Sequence, residues 1–193
     1  RYRVSYYNGT VSSLNDLLTA LTSACTTEGW TYSGGEFVKH GCYFPVSVDT
    51  YVSPYTRLRM QIKNPLDSTL SEITSIRDTS NFPISFPAEY HIFAFDKEVY
   101  CVLNIQPGLY CWINFGASSV IVPGSGAFLS GTSGGGWGAS TSVDYGYPVF
   151  FFRTSDNGTT VNQSSRMDVG LPGCLPFSAD GSNGGAGFGA FDW

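Results

Sequence analysis

The sequence predicts an α+β, mainly β fold: an antiparallel sheet or sandwich with one N-terminal amphipathic helix packed on it and Gly-rich arms. Three observations carry this expectation. The 23 Gly and 10 Pro among 193 residues disfavour helix interiors and mark many turns. One stretch near the N-terminus repeats apolar residues at helical spacing, and residues 57–63 alternate apolar and polar with a period of two. The length suits one domain with a substantial core. The expected organisation is a mainly-β domain over 1–155 and a Gly-rich C-terminal extension over 156–193.

The helix is expected over 14–28. Leu14, Leu17, Leu18, Leu21 and Cys25 fall on one stripe, while Asn15, Thr19, Thr22 and Thr26 face elsewhere. Ser13 is placed to cap the free N–H groups, Asp16 adds an acid to the first turn, and Gly29 supplies a left-handed stop.

After the helix, Trp30-Thr-Tyr-Ser, Gly34-Gly35 and Glu36-Phe-Val-Lys predict a hairpin, and a strand is expected around 44–52. Arg57, Arg59, Gln61 and Lys63 alternate with Leu58, Met60 and Ile62, the pattern of a strand with one wet and one buried face. Residues 64–87 predict a surface excursion with a short helix over 70–76. Three strands follow over 90–95, 98–105 and 109–115, joined by turns at Asp96-Lys97 and Gln106-Pro107-Gly108. They are apolar on both faces: Phe93, Phe95, Val99, Cys101, Leu103 and Trp112 are assigned to one, Ile92, Tyr100, Val102 and Tyr110 to the other. Strands of that kind are covered on both sides, by the helix and by a second layer or a partner.

Gly and Ser dominate 124–138, with Phe128, Leu129 and Trp137 as apolar anchors, so a loop or arm is expected there. One more strand is expected over 147–152, ended by a turn at Asp156-Asn157-Gly158. No internal repeat or heptad pattern occurs, which argues against solenoids and coiled coils.

Charged residues make up only 13 % of the chain, and the net charge is −5. Ten scattered Lys and Arg do not form the basic footprint of a nucleic-acid binder, so no nucleic-acid partner is expected. No apolar run reaches the roughly 18 residues that a membrane-crossing helix needs, so no membrane insertion is expected. The numbered sequence starts at Arg1 without Met, which fits a processed product as well as a partial one.

Cys25, Cys42, Cys101, Cys111 and Cys174 are odd in number, and they lack CxxC pairs and His at zinc spacing. Buried thiols are expected, with disulfides the alternative in an oxidising medium; Cys101 and Cys111 lie near each other across a turn if the register allows. His40 with Cys42 is the nearest approach to a base and nucleophile, but neighbours in one turn rarely reach that geometry. Asp96, Glu98, Asp144, Asp156 and Asp168 are assigned to turns and caps. GxxxxGK[ST], GxSxG and HExxH do not occur. The expectation is therefore a non-enzyme with no catalytic, cofactor-binding or metal-binding residues.

Asn8-Gly9-Thr10, Asn157-Gly158-Thr159 and Asn162-Gln163-Ser164 match the glycosylation acceptor pattern, and the first two are assigned to Asn-Gly turns. Tyr6, Tyr7, Tyr51, Tyr55, Tyr145, Tyr147 and Trp137 are placed in or near turns, where rings stack on sugars or fill a partner's pocket.

The run Ser13-Leu-Asn-Asp-Leu-Leu-Thr-Ala-Leu through Glu28-Gly29-Trp30-Thr31 resembles the opening of a family of tailed-phage virion proteins, a short amphipathic helix running into a Gly-Trp-Thr strand. Tyr90-His-Ile-Phe-Ala-Phe through Tyr100-Cys-Val-Leu-Asn-Ile and Tyr110-Cys-Trp-Ile-Asn-Phe-Gly resembles its later aromatic hairpin, and Tyr145-Gly-Tyr-Pro-Val-Phe-Phe its Tyr-Pro segment. The similarity spans about residues 12–155 and rests on order and spacing. The tight turn at Gln106-Pro107-Gly108 and the Gly-rich ending depart from the pattern.

What the resemblance implies is a structural component of the phage particle, in its tail, neck or fibre-attachment region. Other virion proteins and copies of itself are the expected partners. The alternative is a host-surface or glycan-binding module of the same particle. Trp137, Phe128, Tyr145, Tyr147, Phe188, Phe191 and Trp193 are the candidate interface residues.

Overall fold

The computed structural model describes residues 3–63, 65, 68, 70, 73–80, 82–118, 126–131, 133–135, 147–154 and 160–165. The fold is mainly β, with two antiparallel sheets and one helix.

Strand β1 (Ser5–Val11) leads into α1 (Leu14–Thr27), whose ends follow from its sequence. Ser13 Oγ accepts from Asp16 N at 3.1 Å, satisfying one free donor of the first turn, and Asp16 Oδ2 accepts from Ser12 N at 3.2 Å, fixing the chain as it enters the helix. At the other end Gly29 takes φ +81°, Trp30 N donates to Cys25 O and Gly29 N to Thr26 O, the paired bonds that close a helix on a left-handed residue. Lys39 Nζ donates to Glu28 O at 2.8 Å, placing a cation at the negative pole of the helix. Leu14, Leu17, Leu21, Ala24 and Cys25 are buried in one core shared with strands of both sheets.

The six-stranded sheet begins with the expected hairpin, β2 (Thr31–Ser33) and β3 (Glu36–Lys39), turned on Gly34 and Gly35 at positive φ. It continues through β4 (Cys42–Val52) and β5 (Tyr55–Met60). Leu58, Met60 and Ile62 are buried while Arg57, Arg59, Gln61 and Lys63 keep partial exposure, as the alternation requires.

Next comes β6 (Ile73–Arg77), which corrects the short helix and surface excursion expected over 64–87. β6 lies between β5 and β11 (Ser133–Gly135), with Thr74, Ser75, Ile76 and Arg77 buried. The β-branched Ile73, Thr74 and Ile76 suit a pleated surface, and the polar side chains of Thr74, Ser75 and Arg77 have partners there, so burial does not leave them unsatisfied.

The seven-stranded sheet has the order β1, β7 (Ala88–Ala94), β8 (Glu98–Gln106), β9 (Leu109–Ser118), β10 (Gly126–Gly131), β12 (Tyr147–Thr154) and β13 (Thr160–Ser165). β13 comes from the stretch expected as an extension and pairs with β12 from Val149↔Ser165 to Thr154↔Thr160. Asn8-Gly9-Thr10 is no turn: it lies within β1, paired with β7, and the Tyr90 ring covers Gly9. Tyr6 and Tyr7 are likewise strand residues, Tyr51 lies in β4, and Tyr55 opens β5.

The arm expected over 124–138 is also corrected, because part of it forms β10, between β9 and β12, and β11. Small residues are needed there because backbones come close. A Cβ on Gly131 would stand against Thr74 Oγ1 and 2.9 Å from the Trp112 carbonyl, while Ala127 and Leu129 supply the buried anchors.

Gly116 of β9 is tighter still: a Cβ there would overlap the Lys97 carbonyl and approach Glu98 Cα to 2.7 Å. Both obstacles are backbone, so they yield only if the β8 turn moves. Gly116→Ala is expected to destabilise by about 1–3 kcal/mol, read as a lower denaturant midpoint at unchanged slope.

The strands β7 to β9 divide differently from the expected two faces. Ile92 pairs with Cys101, Leu103 with Cys111 and Cys101 with Ile113, and all of these are buried. Phe93 pairs with Tyr100 and Trp112 with Val102, so Phe93 and Trp112 belong to the opposite, outward face. Phe95 also belongs there, its ring meeting Tyr100 edge-on at 5.8 Å. The turn registers decide this, since a shift of one residue exchanges the faces.

Candidate functional site

The outward face of β1, β7, β8 and β9 gathers three exposed aromatic residues among the described residues. Tyr6 is 49 % exposed, Phe93 38 % and Tyr110 46 %, with Tyr100, Val102 and Trp112 half-buried beside them. Several large rings exposed on one sheet face are more than the scattered apolar residues of an ordinary surface.

Their geometry is specific. The Tyr6 ring stacks on Phe93 with centroids 4.9 Å apart and planes at 25°, and runs parallel to the His91 ring at 6.0 Å. Tyr6 Oη lies 2.7 Å from His91 Nδ1, and His91 Nε2 lies 3.6 Å from Glu89 Oε1. Tyr100 donates to Glu98 at 3.0 Å, and burial first, then the Glu98 carboxylate, raises its pKa well above the ordinary phenol value. Tyr100 therefore remains a protonated donor. The Asn104 amide, oriented to satisfy its neighbours, donates to Gln106 O and, at 3.2 Å, to Leu109 O. The side chains of Tyr6, His91, Tyr100 and Asn104 thus have partners within the chain, and the Tyr6 ring is covered by Phe93 and His91.

No base and nucleophile come together at the expected nearest approach. His40 turns its Nε2 toward Asp96, 3.2 Å from the carbonyl and 3.5 Å from Oδ1, whereas the Cys42 thiol contacts the His40 carbonyl at 3.8 Å. Burial pushes the Cys42 thiol up to about 11, so it is held as the un-ionised form. Asp96 is held below the usual carboxylate range by Lys39, 3.1 Å away, and serves to tie the β7–β8 turn to β3. Cys25, Cys42, Cys101 and Cys111 are all buried. Among the described residues, no three His, Cys, Asp or Glu gather as a metal site. No described helix is long and apolar enough to cross a membrane.

A charged cluster not anticipated as a unit lies on the six-stranded sheet. Asp49 accepts from Arg57 Nε at 2.8 Å and forms an ion pair with Arg59, whose Nε lies 3.1 Å away and donates to Ser47 Oγ at 2.9 Å, and the Arg57 and Arg77 guanidinium groups stand 5.6 and 5.2 Å from the Tyr51 ring. Its signal was the pair Arg57 and Arg59 on one strand face; the register Asp49↔Arg57↔Arg77 completes it. Ion pairs tie β4 to β5, and the Arg77 guanidinium against the Tyr51 ring extends the ladder to β6.

Of the interface residues expected from the sequence, Phe128 lies in β10 at the register position of Gly116 and Phe151, and Tyr147 opens β12 opposite Gly131. Trp137, Tyr145, Phe188, Phe191 and Trp193 lie outside the described residues. The sequence reading missed Phe93, Tyr100, Tyr110 and Trp112 as surface residues. The available signal was the choice of Tyr at outward positions 6, 100 and 110, since Tyr combines an apolar body with a polar tip. Comparison of the chain with protein-family models, with curated proteins and with solved structures gave no match.

Proposed function

We propose that this chain is a non-catalytic structural subunit that docks onto another protein through the outward face of its seven-stranded sheet. In this reading the two sheets are the layers of a sandwich, the helix fills the core between them, and the Gly-rich segments reach to neighbouring chains. The particle setting, a phage tail, neck or fibre-attachment region, rests on the resemblance of the ordered motifs.

The observation that carries the docking reading is the joint exposure of Tyr6, Phe93 and Tyr110 on one face. Burying such rings in a partner's pocket supplies the anchor energy of an interface, of order 2 kcal/mol or more per central aromatic. A protein partner fits better than a glycan for two reasons. Sugar recognition uses open ring faces, and here Tyr6 and Phe93 cover each other. It also uses free hydrogen-bonding groups, and here Tyr100, His91 and Asn104 are engaged internally.

The test is the double substitution Phe93→Ser with Tyr110→Ser. Both side chains are exposed, so the melt is expected to move little, while particles assembled with the variant should lack it. Normal incorporation of the variant would discard the reading. Binding of the native chain to host polysaccharide, lost in the variant while incorporation persists, would transfer the face to glycan recognition.

A further inference from the structure

The free edges of the two sheets differ in a way that selects one of them. β2 and β11 close the six-stranded sheet with three residues each, a common means of blunting an edge. β13 closes one edge of the seven-stranded sheet with six residues, and β1, the longest of the four edge strands, closes the other with seven, Ser-Tyr-Tyr-Asn-Gly-Thr-Val. It carries no charge and no Pro, and its register with β7 runs without a bulge from Ser5↔Ala94 to Val11↔Ala88. Among the described residues no strand pairs with its other side. Such a strand presents a row of N–H and C=O groups that template a further strand.

We propose that two copies of this chain pair antiparallel along β1 about a twofold axis at Asn8. Asn8 is the midpoint of the strand, so full overlap sets Ser5 against Val11, Tyr6 against Thr10, Tyr7 against Gly9 and Asn8 against its own copy. Each large ring then faces a small residue. Opposed residues share the same parity, so the outward faces of the two sheets fall on one side. The Tyr6, Phe93 and Tyr110 faces of the two copies become one continuous surface.

Charge selects a second copy as the occupant. Each chain carries a net charge of −5, and a close approach between copies is favoured where charge is absent or complementary. β1 is neutral, and the same overlap carried past its ends brings exposed Arg3 of one copy to Ser13 of the other, beside the Asp16 carboxylate that holds Ser12 N. The twofold axis makes this pair twice.

The test is sedimentation equilibrium of the full chain with Asn8→Asp and Asn8→Lys variants. Asn8 is exposed, and a melt of each variant checks that folding is kept. In either variant alone, like charges meet directly opposite at the axis, and dimerisation is expected to weaken about tenfold or more. An equimolar mixture of the two sets opposite charges together and should restore the dimer. A native chain that stays monomeric at about 100 µM, where an ordinary contact is populated, would overturn the pairing. So would a dimer indifferent to both variants, or a mixture that fails to recover it. The pairing stands apart from the docking reading, because the Phe93→Ser and Tyr110→Ser chain is expected to remain dimeric.

Discussion

Phe115→Ala should cost about 3–5 kcal/mol, a third or more of the stability of an ordinary domain. Phe115 is fully buried where Trp30, just past α1, Phe37 of β3 and Phe44 of β4 meet the seven-stranded sheet. Its ring centroid lies 5.3 Å from Trp30, 5.6 Å from Phe37 and 5.1 Å from Phe44. Removing it takes a shared neighbour from three rings that belong to other elements, and the backbone of β9, paired on both sides, cannot collapse into the space. A chain of this size loses about 2–4 °C of melting temperature per kcal/mol, so the drop is easily measured. Phe93→Ala is the contrast: the same atoms are deleted from an exposed site, and the expected change is a fraction as large. Equal losses from the two substitutions would show that Phe115 does not join these elements.

The parts of this fold that the sequence made legible are those in which one physical term dominates. α1 was readable because its apolar stripe, Ser13 cap and Gly29 stop agree with one another. β5 was readable because Leu58, Met60 and Ile62 alternate with charged and polar neighbours. β6 was hidden because Thr74, Ser75 and Arg77 are buried through polar partners, which hydropathy scores as exposure. β10 and β11 were hidden for another reason: the glycines that resemble a loose arm are there to let backbones approach, as Gly131 does over Thr74 and Trp112.

The candidate face was half legible. Its rings stand out in the sequence, but the side they occupy depends on the registers Phe93↔Tyr100 and Val102↔Trp112. A turn of given length permits more than one register, and composition does not choose between them. The apolar inward set and the aromatic outward set look alike in a list of residues; only the hydroxyls of Tyr100 and Tyr110 distinguish them.

The buried thiols make the fold sensitive to alkali. Burial raises Cys42 to about 11 and Cys101 to about 12 from an ordinary 9.0, and holds Cys25 well above that value. In the unfolded chain all three ionise near 9, whereas in the folded chain they stay protonated. Stability from these groups is therefore complete below pH 9 and is lost as pH rises toward the folded values. By pH 11, Cys42 and Cys101 each withdraw about 2–3 kcal/mol. The tyrosines act in the same direction, because Tyr7, Tyr51 and Tyr100 are also raised. Under reducing conditions the denaturant midpoint should hold from pH 7 to 8.5 and fall steeply between pH 9 and 11. Cys101→Ala keeps a small apolar group in place of the thiol, so it should be less stable at pH 7 yet lose less across that window. A variant whose pH profile runs parallel to that of the native chain would mean that Cys101 ionises as readily folded as unfolded, which is incompatible with its complete burial in the core.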